Sequence, residues 1–131
     1  MNNSDIEPET FQALKDCVQA LDDRKCENLV VLDVRGKSTI TDFLIIVSGN
    51  SAPHLRALNQ AAEKAVGHKP GKSSRQIQDY ESGWVVTDGI DFVIHIFTPE
   101  TRDYFRIESL WKDATVIDPQ TLLSHHETKA R

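Results

Sequence analysis

No uninterrupted apolar run in this 131-residue chain exceeds five residues, Phe43–Val47. A helical membrane span needs ~20, so no segment crosses a bilayer as a helix. Cysteine is scarce: Cys17 and Cys26 are the only two, too few for a disulfide framework and not spaced for metal. They read as reduced thiols in a cytosol. The sequence has no His-Glu-x-x-His and no Cys-x-x-Cys, and its one His-x-Glu, His125-His126-Glu127, is a lone pair of histidines in the tail, so a zinc site has little support. The first nine residues carry three acids and neither a basic nor an apolar segment, which predicts no signal or transit peptide and a cytoplasmic protein. An excess of positive charge is also missing: 15 Lys and Arg face 20 Asp and Glu, so the chain as a whole does not attract nucleic acid. The surplus of acid is local, because residues 1–34 hold eight acids and three bases while the remainder is balanced. An acidic surface of this kind suits a basic protein partner.

What is present fits one globular domain. With 39% hydrophobic and 27% charged residues, a chain of this length buries a core without staples. Residues 5–25 predict an amphipathic helix with Phe11, Leu14, Val18 and Leu21 on one stripe, opened by a capping box of Ser4 and Glu7. Leu29–Val34 and Phe43–Val47 are apolar on both faces and predict buried strands. The eight residues between them are too few for a helical crossover, so the two should pair antiparallel. Ser51 is placed to cap a helix over 52–67. A basic loop follows, then three short strands, about 75–80, 84–87 and 92–97, with turns at Ser82-Gly83 and Asp88-Gly89. Phe92–Phe97 should be central. Thr98-Pro99-Glu100 starts a helix running to about Trp111. The reading is a five-stranded mixed α/β sheet flanked by helices, in one domain over 1–118, with 119–131 as a frayed polar tail of weak helical potential around Gln120–His125.

Catalytic chemistry is hard to find in this frame. Val47-Ser48-Gly49-Asn50-Ser51 joins a strand to a helix, where backbone amides can hold a phosphate. Small nucleotidyltransferases use such a turn, but they also need paired carboxylates on the next strand to hold magnesium. That strand, Arg75–Tyr80, has one acid, Asp79, and Asp88 and Asp91 are three residues apart across a turn. A nucleotide-binding or nucleotidyltransferase-like protein using the Ser48-Gly49 turn therefore stands only as the alternative. His95, on the face shared by Val93 and Phe97, is a core or interface residue unless Asp33 or Glu108 partners it as a base. Lys69, Lys72 and Arg75, in a loop without acids, offer at most a minor, salt-sensitive RNA contact.

The region from Trp84 onward carries a recognisable pattern. Trp84-Val-Val-Thr-Asp88, Asp91-Phe-Val-Ile-His95-Ile-Phe97, and Glu100-Thr-Arg102-Asp-Tyr104-Phe105-Arg-Ile-Glu108-Ser-Leu110-Trp111-Lys-Asp113-Ala114 resemble the ribosome silencing factor, or Iojap, family. Leu32-Asp33-Val-Arg35, Thr41-Asp42-Phe43-Leu-Ile-Ile-Val and Ser48-Gly49-Asn-Ser51 match the same pattern in order, so the resemblance spans about 5–118. Two departures stand out: Gly89-Ile90 lies between the aspartates where members carry an aromatic or Leu and then Gly, and Phe105 stands where members often have Tyr. The resemblance implies a nucleotidyltransferase-like fold without catalytic carboxylates, no enzymatic activity and no cofactor. It also implies a partner, the large ribosomal subunit through its fourteenth protein. Docking there would obstruct the small subunit and lower translation when nutrients run short, with a related role in large-subunit biogenesis. A homodimer away from the ribosome remains open.

Obstruction of this kind needs an interface of about 800 Å² per partner with a few dominant anchors. Trp84, Arg102, Tyr104, Phe105 and Trp111 are the anchor types; Asp88, Asp91, Glu108 and Asp113 could meet basic residues, and His95 lies among them. Either tryptophan could instead close the core, and Arg102 could pair internally with Glu108. The sequence leaves both questions open.

Overall fold

The computed structural model describes residues 6–38, 41–66, 77–89 and 91–123. Helix α1 spans Pro8–Asp23 and buries Leu14, Cys17, Val18 and Leu21, the expected stripe with Phe11 packed beside it. Its start differs from expectation. Glu7 is itself the N-cap, makes no side-chain cap bond, and is followed by Pro8, whose fixed φ and missing N–H suit a first helical position. Ser4 lies outside the described residues.

Strand β1, Glu27–Asp33, pairs antiparallel with β2, Phe43–Ser48, as the short connection required. Helix α2, Ala52–Ala65, follows, with the Ser51 hydroxyl accepting the His54 N–H as its cap. Three strands make the antiparallel meander: β3, Ile77–Asp79, β4, Trp84–Asp88, and β5, Phe92–Phe97. β5 pairs parallel with β2, Phe43 against Phe92 through Ser48 against Phe97, with α2 and the β3–β4 hairpin forming the crossover between them.

All five expected strands are therefore present in one mixed sheet. A sixth, β6, Thr115–Ile117, joins the free edge of β1, giving the order β3-β4-β5-β2-β1-β6. Placing β2 and β5 at the centre explains why both are apolar on their two faces. One face carries Val31, Phe43, Ile45, Val47, Val85, Phe92, Ile94 and Ile96 against α1 and α2. The opposite face carries Leu32, Leu44, Ile46 and Phe97.

Two expectations fail beyond β5. The helix begun at Thr98 does not reach Trp111. Helix α3 is only Pro99–Phe105, Arg106 turns left-handed (φ 49°), and a 3₁₀ turn continues over Ile107–Trp111. Sequence gives no warning, because the break carries no glycine or proline. α3 buries none of its residues, whereas the redirected turn lays Ile107 and Trp111 on the second apolar cluster. The chain also remains structured beyond residue 118. Residues 119–123 are helical, and Leu122 and Leu123 are buried in the core beneath α1 and α2, which gives this segment an apolar anchor that a polar tail would lack. Among the described residues, no helix is long and apolar enough to cross a membrane.

Candidate functional site

Glycine 83 places the start of the site. It has positive φ (84°), and its carbonyl accepts both the Thr98 N–H at 3.0 Å and the Thr101 hydroxyl. A Cβ here would fall 2.9 Å from the Thr98 hydroxyl oxygen and 3.0 Å from Thr101, so the β3–β4 turn and the first turn of α3 lie in direct contact. That contact fixes the beginning of β4 beside α3. Trp84, the first residue of β4, stacks on Phe97 at 5.3 Å and meets Phe105, the last residue of α3, at 4.8 Å. Tyr104 stands edge-on to Phe105 at 5.0 Å.

Exposure divides this aromatic group. Trp84 is half-buried, while Phe105 is 46% exposed and Tyr104 80% exposed. Leu110, on the 3₁₀ turn, is 74% exposed. Large apolar side chains held this far out of a core are the more informative kind of surface. Leu110 is not among the expected anchors, because the sequence predicts a continuous helix there. No local signal marks it, since its exposure follows from the break at Arg106.

His95 lies under this group, on the same sheet face as Trp84 and Phe97. Neither Asp33 nor Glu108 partners it. Asp33 is bound by Arg35 (2.6 Å) and Glu108 by Arg102 (3.0 Å). Instead the Trp84 indole N–H donates to His95 Nδ1 at 3.2 Å. Burial pushes the imidazole down to about 4, so the ring is neutral at physiological pH.

Arg102 does not face outward. Its guanidinium donates to both Glu108 carboxylate oxygens (3.2 and 3.0 Å) and to the Ser48 hydroxyl (2.9 Å). In an unbroken helix, residues six apart point to different sides, so this pair exists because Arg106 breaks the helix. The arginine thus ties α3, the 3₁₀ turn and the end of β2 together.

The remaining expected residues are spread more widely. Asp88 lies half-exposed on the Trp84 face but at the far end of β4. Asp91 is beyond the opposite end of β5. Its carboxylate accepts the Thr10 hydroxyl of α1 (2.9 Å), and its backbone carbonyl accepts the Asp42 N–H and the Thr41 hydroxyl. Trp111 packs half-buried on the second apolar cluster. Gly89 forms its turn by donating its N–H to the Phe92 carbonyl at 2.7 Å. Ile90, Lys69, Lys72 and Arg75 lie outside the described residues.

In the Ser48-Gly49 turn, the amides are engaged within the fold. Gly49 N–H donates to the Phe97 carbonyl and Asn50 N–H to His54 Nδ1, while His54 Nε2 reaches the Arg24 carbonyl. Ser48 is fully buried. His54, which had no role in the sequence reading, therefore staples α2 to the loop after α1. Among the described residues, no three His, Cys, Asp or Glu side chains converge as metal donors.

The class is thus a mixed-sheet α/β protein that presents an exposed aromatic group braced by a half-buried arginine. Comparison then supplies the family. The model described as "Ribosomal silencing factor during starvation" (RsfS) matches residues 7–131, and the chain belongs to that family. The ribosomal silencing factor of Halalkalibacterium halodurans is 34% identical over 114 residues, covering 86% of this chain and 97% of that one. The crystal structure of a Chromobacterium violaceum protein superposes with a TM-score of 0.68 at 27% identity, covering 81% of this chain and 87% of its own. A more distant relative, mitochondrial assembly of ribosomal large subunit protein 1 of Mus musculus, is 29% identical over 97 residues, covering 72% of this chain and 42% of that one.

Proposed function

We propose that this protein docks on the large ribosomal subunit, through the subunit's fourteenth protein, and keeps the small subunit from joining. Translation falls as a result when nutrients are short, and the same contact serves large-subunit maturation. Family membership supports the ribosomal setting. The name of the mouse relative, which speaks of large-subunit assembly, supports the choice of subunit. The observation that carries the docking face is the exposed Phe105 set against Trp84, with the still more exposed Tyr104 edge-on to Phe105.

Blocking requires a rigid body in the right place rather than chemistry. Trp84, His95, Tyr104 and Phe105 form the centre of the contact, with Asp88 toward its rim. Aromatic anchors lose little side-chain entropy and bury a large area, so a few of them dominate an interface. Arg102, Glu108 and Trp111 act by holding the α3 segment on the sheet, and Asp91 by anchoring the far end of β5 to α1. Lys69, Lys72 and Arg75 add at most a minor RNA contact. The protein acts in the cytoplasm.

The test is sedimentation of mixed ribosomal subunits through sucrose, with and without purified protein. The expected result is protein travelling with large subunits and a diminished peak of joined particles. Undiminished joining in its excess would sink the proposal.

A further inference from the structure

We infer that His95 is a specificity-determining residue of the docking face, presenting an Nε2–H donor to an acceptor oxygen on the docked protein. The inference rests on the docking proposal above and adds an atom and a polarity to it. A neutral imidazole carries one proton on one of two nitrogens, and the hydrogen bond at the other nitrogen decides which. Trp84 Nε1–H can only donate, so its 3.2 Å contact requires His95 Nδ1 to be the unprotonated acceptor. The proton is then on Nε2.

That Nε2–H has no protein partner among the described residues. Nor is it among the side-chain atoms sealed from solvent without one, of which the described residues have Gln19 Oε1. It therefore meets water in the free protein. The ring is held from its other sides by Trp84 at 6.0 Å and Phe97 at 6.1 Å. A donor fixed in direction, on a half-buried ring among aromatic anchors, loses its water when a partner covers the face. A docked surface with an oxygen opposite Nε2 is accepted, and one without leaves a buried unmet donor. The carbonyl or carboxylate oxygens of a protein supply such acceptors.

The first experiment measures binding to purified large subunits by wild type and by His95→Asn. Asparagine can still accept from Trp84 close to the backbone but cannot reach the position of Nε2. Binding about tenfold weaker, with an unchanged circular dichroism spectrum, is the expected result. The second uses nitrogen-15 imidazole spectra of the wild-type protein, so it does not depend on the variant folding. The Nε2–H tautomer is expected, with slower Nε2–H solvent exchange once the isolated fourteenth large-subunit protein is added. Binding by His95→Asn within twofold of wild type, an Nδ1–H tautomer, or unchanged exchange while neighbouring signals shift would each overturn the inference alone. Wild type that fails to bind large subunits at all would overturn the docking proposal and this inference with it.

Discussion

On one face of the sheet, α1 and α2 leave Leu14, Val18, Leu55, Leu58, Ile45, Ile94 and Ile96 with no exposed area. On the other, Leu32, Leu44, Ile46 and Phe97 are buried, yet the layer above them is a seven-residue helix and one 3₁₀ turn, ending in Tyr104, Phe105 and Leu110 turned to solvent. The first face is closed by long amphipathic helices, each burying a continuous stripe. The second is closed by a bent segment whose position depends on a few polar contacts: Thr101 to Gly83, and Arg102 to Ser48 and Glu108. A closed face supports stability, while a partly covered one leaves apolar area for a partner. Polar groups follow the same division. Under α2, Asn59 bridges Thr87 and Tyr80, so both partners of a buried network are internal. Under the open face, His95 has one internal partner and a free side.

The sharpest test of this contrast is Leu58→Ala. Leu58 is fully buried on the closed face, so its truncation should cost about 3 kcal/mol in urea unfolding, with ribosome binding by the folded fraction unchanged. A loss under 1 kcal/mol (roughly the surface range) would mean that face is not tightly packed.

Acid should expose the other face next. His95 ordinarily titrates near 6.5 and is pushed down to about 4 in the fold. As pH falls below 6.5 the unfolded chain takes up a proton that the folded chain does not, so stability declines until about 4, where the folded ring also titrates. Between about pH 7 and about pH 4.5, wild type should lose about 2–3 kcal/mol more than His95→Asn in urea midpoints, the variant cancelling the contribution of carboxylates. Parallel losses would mean the ring is not desolvated.

Tyr104→Ala should divide the two properties in the opposite sense to Leu58→Ala. With Tyr104 80% exposed, stability should move by under about 0.5 kcal/mol. Large-subunit affinity should fall roughly thirtyfold, about 2 kcal/mol, as for an interface anchor. Unchanged co-sedimentation would remove Tyr104 from the docking centre.

The smallest expected effect is Ser51→Ala. It removes the cap accepting the His54 N–H and should lower stability by about 1 kcal/mol, read as a shift in thermal midpoint. Subunit joining should still be blocked. Loss of blocking at full stability would show that the Ser48–Ser51 turn, not the aromatic face, meets the ribosome.

Much of the scaffold was legible before the structure. The stripe of α1, the Ser51 cap, the antiparallel β1–β2 pair and the meander follow from local periodicity, turn residues and connection length, which act over a few neighbours. The site was legible only as a set of residue types. Trp84, His95, Tyr104 and Phe105 do come together, Arg102 and Glu108 take the internal pairing that the sequence held open, and Asp91 turns to α1. The helix break at Arg106 escaped notice because its left-handed turn uses an arginine, with nothing in the local spacing to announce it. The burial of Leu122 and Leu123 escaped notice because the polar residues around them dominate any local average.

By itself the sequence determined where the first two helices and five of the strands form, that one domain-sized core exists, and which family pattern the chain carries. Side-chain periodicity and turn chemistry act between neighbours and are written in order along the chain. Only tertiary structure decided that β5 lies parallel to β2, that a sixth strand edges the sheet, and that one aromatic group is left uncovered. Those outcomes depend on which of several apolar surfaces cover one another once distant segments meet, and on polar ties such as Arg102 to Ser48, 54 positions apart.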